Sequence, residues 1–437
     1  MPALLAVCAA AIVLAWPAFL NGYPLVFSDT GGLVEMGLEP YFGWDKPYVY
    51  APFLALFSAG QTLWGPIAAQ ALMVSWLLWL TARTVDRADP VRHIVLAAIL
   101  AVGTAAPWFT ALLMPDLFTP LVPLCLFVLV YARLSKVERI GIFLIGTVAI
   151  GAHLAHLVLA AACIAVLAML YWRRAWRAAA PLATALVVLL ATNAVGHGQL
   201  AISPYGSVFG VARLVGDGPG RAYLDRVCPD PSLRLCAWQG RLSADSDEFL
   251  WKPEGPMWAG DFNPVRFAPE AKRLVPAIIA AYPIETLQAA AVNTLRQLAL
   301  VKVGDVLGDD HLSVAVLPRL RPYFPAAEVA RYQAGMQPQD QLRNAAAPFY
   351  WLHAGFLLAG TAGSVWVLLR CWRTEPALAA FALLALAALV ANAFATGALS
   401  GPHDRYQARI AWLVVLAPLF YAARAATSAG DIRTSAS

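Results

Sequence analysis

Residues 140–172, "IGIFLIGTVAIGAHLAHLVLAAACIAVLAMLYW", form an uncharged apolar run bounded by Arg139 on one side and by Arg173 and Arg174 on the other. A helix rises ~1.5 Å per residue and a bilayer core is ~30 Å thick, so one crossing takes about 20 residues. The run is therefore long for one span and short for two. Parity decides the matter. Short basic clusters belong on one face of the membrane, and these two clusters share a face only if the chain crosses twice between them. The turn then falls near "GAHLAHL", residues 151–157. Two helices of about 16 residues are acceptable where they pack inside a bundle or where the bilayer thins.

The same bookkeeping extends along the whole chain. The protein has 437 residues, of which 60% are hydrophobic and 13% charged, with a net charge of +5. A soluble domain carries about twice that share of charge. The sequence predicts an all-α polytopic membrane protein with about ten transmembrane helices, at 3–20, 62–82, 94–113, 116–133, 140–155, 157–172, 178–195, 348–369, 376–396 and 410–424. With the N-terminus inside, Arg83, Arg87 and Arg92, then Arg133, Lys136 and Arg139, then Arg173, Arg174 and Arg177, then Arg370 and Arg373, and finally Arg424 all face the cytoplasm. Positive residues in such clusters are orientation signals, and nucleic acid is not an expected partner.

Residues 1–20 lack a basic leader region and a small-residue cleavage site, so they read as a retained first helix. The expected location is the bacterial inner membrane, with both termini cytoplasmic. Spans one to seven make an N-terminal membrane region, 1–195, with an interfacial first outer loop at 21–61. An α-rich outer (periplasmic) domain follows at 196–347, then spans eight to ten at 348–424 and a disordered cytoplasmic tail at 425–437. Residues 283–302, "PIETLQAAAVNTLRQLALVK", show helical periodicity within that outer domain.

Four cysteines, Cys8, Cys125, Cys163 and Cys371, lie in or at the ends of spans, where the thiol behaves as a small apolar group. Cys228 and Cys236, in "CPDPSLRLC", share the outer domain across a Pro-rich turn. In an oxidising compartment a disulfide is the default pairing, and free thiols are the alternative.

Polar side chains gather on the outer face. "FSDTGG", 27–32, places Asp29 just beyond span one, and Glu35 follows in the same loop. "LLMPDLF" places Asp116 at the start of span four, where a carboxylate also suits the helix dipole. His153 and His156 are one helical turn apart and share a face, a pair suited to lining a polar cavity or to binding phosphate, sugar or metal. The last outer turn, "SGPHDRYQAR", carries His403, Asp404, Arg405, Tyr406 and Arg409. A guanidinium offers a planar fork matched to phosphate oxygens. Tyr and Arg at headgroup depth are also ordinary interfacial anchors.

An acid near the start of the first outer loop, an interfacial "YVYAPFLAL" segment before span two, and a second acid opening a Leu-rich fourth span together resemble integral-membrane glycosyltransferases of the C-type fold. These enzymes use polyprenyl-phosphate-linked sugars. The resemblance implies such a donor as partner, along with membrane lipids. It implies Asp29 as general base, Asp116 as the group that positions Asp29, a metal or the acceptor, and Arg405 with His403 at the leaving phosphate. Asp404, His153, His156 and Glu35 become further substrate contacts. Some relatives carry paired acids in the first loop where this chain has a single Asp, so a divalent metal stays open. The rival classes are a carrier for a lipid-linked or anionic solute and a non-catalytic envelope assembly protein. Ionisable residues are nearly absent from the span centres, which disfavours a carrier.

Overall fold

The computed structural model describes residues 1–259 and 262–435, and among these residues it contains helices and turns but no β-strand. Five helices are long and apolar enough to cross a membrane: Trp64–Val85, Ala155–His197, Phe349–Cys371, Pro376–Ala398 and Asp404–Ala425. A bent pair, Pro264–Ala281 and Pro283–Ala299, makes a sixth candidate if counted as one span, although the two helices meet at 99°. The described chain is all-helical, with several helices long and apolar enough to cross a membrane, and is compatible with a helical membrane protein.

Several expected spans are shorter or broken, and proline is the usual cause. The first run becomes α1 (Pro2–Leu14) and α2 (Trp16–Asn21), parted at Ala15. Pro17 cannot donate to the turn before it and its ring crowds that turn. The segment expected at 94–113 is a helix only over Pro90–Gly103, capped by Asp89, and a separate turn follows at Ala106–Thr110 around Pro107. The first outer loop is also more ordered than a loop. It folds into α3 (Ser28–Leu38) and α4 (Ala51–Ser58). At the other end, the last helix runs Leu413–Ser435, so the tail expected to be disordered continues as helix, led into by the strong helix formers Ala422 and Ala423. Residues 436–437 lie outside the described residues.

The uncharged run 140–172 divides at residue 152. Helix α5 (Lys136–Gly151) begins at a capping box between Ser135 and Glu138. Helix α6 (Ala155–His197) follows after a short turn. Only Tyr171 (φ −150°, ψ 61°) departs from helical geometry inside α6, and there the chain kinks. Gly151 packs on Val49, while Gly196, at the far end of α6, packs on Phe42. The last residue of α5 and the far end of α6 therefore meet the same segment, 42–49, and Leu154, just before α6, lines one cavity with Asn193, His197 and residues 43–47. Tyr171 and the basic residues after it lie at the bend.

Two apolar cores organise the molecule. The larger joins the membrane helices to parts of 303–346, including Val303, Leu307, Leu320 and Leu342. The smaller belongs to residues 205–278 and is built on Val208, Val211, Phe249, Phe267 and Ala271. The stretch 196–347 is thus shared between the cores. The Cys228–Cys236 disulfide lies beside the smaller one.

Buried polar groups tie the outer segments together. Leu25 and Leu112 form a parallel bridge, in which Leu25 N–H donates to Ala111 O and Leu113 N–H to Leu25 O, both at 2.9 Å. Gln337 completes the strip: its Oε1 accepts from Val26 N (3.0 Å) and its Nε2 donates to Val26 O (2.6 Å) and Val306 O (3.0 Å). Buried amides that lack such partners cost free energy, so these bonds select one register for the loop.

α3 also packs closely. A Cβ at Gly31 would collide with the carbonyl oxygen of Ala315, whereas one at Gly32 would meet nothing within 4 Å. Gly31→Ala is expected to lower stability by ~1–3 kcal/mol through overpacking, and Gly32→Ala to leave it unchanged or raise it slightly. Thermal unfolding of the two variants in detergent checks this, and equal melting temperatures would rule out the contact.

Candidate active site

The bridge at Leu25 fixes the path of the chain into α3. Four residues on, Asp29 lies in the first turn of that helix, and Thr30 locks the turn by accepting from Phe27 N–H (2.9 Å) and donating to Leu113 O (2.9 Å). The same strip ends three residues before Asp116, so the two acids are brought to one place by main-chain pairing between the first and second outer turns.

Asp29 is not a lone loop carboxylate. Lys46 Nζ lies 3.0 Å from Asp29 Oδ1 and 2.8 Å from Asp45 Oδ2. The Asp29 side chain is 36% exposed. Even so, desolvation is the largest influence on its pKa, pushing it up, while Lys46 and Arg405 together overcome this and hold it below the usual carboxylate range.

Asp116 sits deeper. Its side chain is 3% exposed and its Oδ1 is 3.2 Å from Nη1 of Arg409, which is fully buried. Asn392 Oδ1 stands 3.5 Å from Arg409 Nη2, and Trp412 Nε1 donates to Arg409 O (3.0 Å). Arg405, one turn earlier on the same helix, lies over the rings of Phe27 (4.2 Å) and Tyr406 (4.8 Å). Its Nη2 donates to Tyr406 Oη (3.1 Å), and its main-chain N–H donates to Asp305 Oδ2 (2.9 Å). Arg405 is within electrostatic reach of both Asp29 and Asp116. Among the described residues, buried Arg405 Nη1 and Arg409 Nε have no hydrogen-bond partner. Two unsatisfied guanidinium N–H groups beside a carboxylate floor fit an anionic ligand.

The histidine pair divides. His156 is fully buried, with Nδ1 2.6 Å from Ala149 O and Nε2 2.7 Å from Thr119 Oγ1. A carbonyl only accepts, so Nδ1 carries the proton and Nε2 accepts from the Thr119 hydroxyl. His156 is a satisfied core histidine and does not line the cleft. Partly exposed His153 uses Nδ1 to accept from Ala155 N–H (3.2 Å) and lies within electrostatic reach of Asp29, Arg405 and Arg409.

The remaining candidates hold structure together. Glu35 pairs with Arg319 at 3.0 Å, joining α3 to the segment Leu317–Leu320. His403 Nε2 is 3.0 Å from Asp247 Oδ2, and this bond, opposed by burial, holds the Asp247 carboxyl low. The His403 main chain exchanges two hydrogen bonds with Gln297, at 3.0 and 2.7 Å. Asp404 Oδ1 accepts from Lys302 N–H (2.9 Å). These residues dock the last outer turn on the segment before it.

Lys46 and Arg409 are the participants that sequence reasoning did not assign. Lys46 stood in "WDKP" without a visible partner. Arg409 was visible only as a neighbour of Arg405, although four-residue spacing puts both on one helix face. For the divalent metal left open by the resemblance, the residues do not fit. Among the described residues no group of three or more His, Cys, Asp and Glu side chains could hold one, and both acids of the cleft face cations.

Asp116→Ala is expected to cost ~3–5 kcal/mol, because it leaves Arg409 buried without its counter-charge. Adding Arg409→Met should recover much of that loss. Unfolding of the single and double variants in detergent measures it, and a double variant no better than Asp116→Ala would sink the coupling.

Comparison of the chain with models of protein families, with curated proteins and with solved structures finds no match to any of them.

Proposed function

We propose that the protein is a membrane-embedded glycosyltransferase that moves a sugar from a polyprenyl-phosphate carrier to an acceptor at the outer face of the bacterial inner membrane. The observation that carries this reading is one charged cluster in which Asp29, held ionised, lies within electrostatic reach of Arg405. Arg409, one turn from Arg405, pairs with Asp116, and Arg405 Nη1 and Arg409 Nε are unused.

The membrane path in this reading has ten crossings with both termini cytoplasmic. The five long helices supply six of them, because the kink at Tyr171 lets α6 cross twice. The broken or shorter helices Pro2–Asn21, Pro90–Gly103, Phe118–Tyr131 and α5 supply four. Segment 42–49 meets the end of α5 at Gly151 and the far end of α6 at Gly196, and Leu154 lines one cavity with Asn193 and His197, which supports this count.

In the reaction, the acceptor hydroxyl enters beside Asp29, which takes its proton as the oxygen attacks the anomeric carbon. The bond from that carbon to the carrier phosphate breaks, and its electron pair leaves on the phosphate oxygen. Arg405 and Arg409 stabilise the charge that appears there. Lys46 orients Asp29 and keeps it ionised, and Asp116 keeps Arg409 in place.

Asp29→Asn keeps the shape and removes the base, so transfer from a lipid-phosphate donor in membranes should fall by ~10²–10⁴-fold at normal protein levels. Arg405→Lys keeps charge without the fork and should raise KM for the donor more than for the acceptor. Full transfer by Asp29→Asn would end this reading.

Because nearby cations hold Asp29 low, the rate should stay flat down to about pH 4, the ordinary carboxylate value. Removing one cation raises the Asp29 pKa, so Lys46→Met should shift the acid limb to higher pH. An unshifted profile would remove Asp29 as the titrating base. Reporters fused after residues 60, 115 and 260 should read outside, and those after 88, 136 and 175 inside. A cytoplasmic reporter at 260 would refute the topology.

A further inference from the structure

Two residues before Lys46, Trp44 leaves the cleft and enters an aromatic group drawn from the smaller lobe. Its ring stacks on Phe209 (5.3 Å, 23°) and meets Trp251 (5.5 Å, 40°) and Trp258 (6.4 Å, 64°). Trp251 and Trp258 remain 44% and 41% exposed. Trp258 Nε1 donates to Leu250 O (2.7 Å), which fixes the ring while leaving much of its surface open. Core packing alone would bury such large rings. A clustered, oriented and exposed pair instead marks a recognition surface.

The chemistry beside this group is that of a polar edge. A cavity of about 20 Å³ lies against Trp44, Lys46, Asn193, His197, Ser203 and Phe209. That volume has room for a hydroxyl or a water. Lys46 is occupied by Asp29 and Asp45, so a charged group has little to gain there. A pyranose has the complementary form. Its C–H faces suit the negative faces of indole rings, and its hydroxyls project from the edge.

We propose that Trp44, Trp251 and Trp258 form a subsite for a pyranose ring of the acceptor, with one hydroxyl of that ring directed into the cavity beside His197 and Ser203. The proposal rests on the transferase reading and adds to it the substrate class on the acceptor side: a sugar-bearing acceptor. The position of Trp44 beside Lys46 puts such a ring next to the base that would activate a neighbouring hydroxyl.

The test uses the full chain in lipid nanodiscs with cellotetraose as probe, because β-linked glucose offers axial C–H groups on both ring faces. Saturation-transfer NMR should show the strongest transfer at ring C–H positions. Affinity should fall roughly tenfold in Trp251→Ala/Trp258→Ala and be retained in Trp251→Phe/Trp258→Phe, which keeps aromatic faces if the Ala variant folds poorly. Equal binding by the Ala variant, no saturation in wild type, or quenching of the two indoles by brominated lipids, which would make them headgroup anchors, would each overturn the subsite. Loss of transfer in Asp29→Asn is a separate measurement. Its failure would remove the transferase reading while this binding result stood.

Discussion

The ion pair between Asp116 and Arg409 is the contact on which this end of the helical bundle depends. Both side chains are buried, and neither can stay charged there without the other. Asp116 comes from the turn Pro115–Leu117 and Arg409 from the helix Asp404–Ala425, so their union draws distant parts of the chain together. Asn392, from the preceding helix, contributes a third contact and also donates to Tyr406 O at 2.7 Å. With Arg409 fixed, Arg405 one turn away is delivered onto the ring of Phe27, beside Asp29.

Around that pair, main-chain pairing provides the alignment. The bridge between Leu25 and Leu112 and the three bonds of the Gln337 amide place the first outer segment with little freedom. Buried Glu328 does similar work nearby, accepting from Tyr23 Oη (2.9 Å), Thr62 Oγ1 (2.7 Å) and Leu63 N (3.2 Å). A cleft whose walls are held by buried hydrogen bonds loses little entropy when a ligand enters, which is the condition for an electrostatically preorganised site. The polar groups left over, Arg405 Nη1 and Arg409 Nε, are then the ones with binding capacity to spare.

The smaller lobe adds a surface of different character. Its disulfide and apolar core let it keep its own shape, while the His403–Asp247 bond anchors it near Arg405. Charge is concentrated on the side of Arg405, and aromatic surface on the side of Trp44, with Asp29 and Lys46 between them. That division suits the proposed transfer, in which a neutral nucleophile displaces an anionic leaving group from the sugar.

Much of this was legible from the chain itself. Hydrophobic run lengths established a helical membrane protein, because a backbone in lipid must satisfy its own hydrogen bonds. Asp29, Asp116 and Arg405 stood out as charges at the ends of apolar runs, and the fold brings both acids within electrostatic reach of Arg405. The cysteine pair followed from proximity in sequence. What the sequence could not decide was which charge each polar residue would meet. Lys46 against Asp29, Arg409 against Asp116, Arg319 against Glu35 and Asp247 against His403 join distant segments, and no periodicity predicts such partners. The two histidines at 153 and 156 show the same limit. Their spacing set them on one face, but only packing against Ala149 and Thr119 sealed one in the core and left the other at the cleft. Local chemistry selected the candidates, and tertiary contacts assigned their roles, because a charge is defined energetically by the partner it finds across the fold.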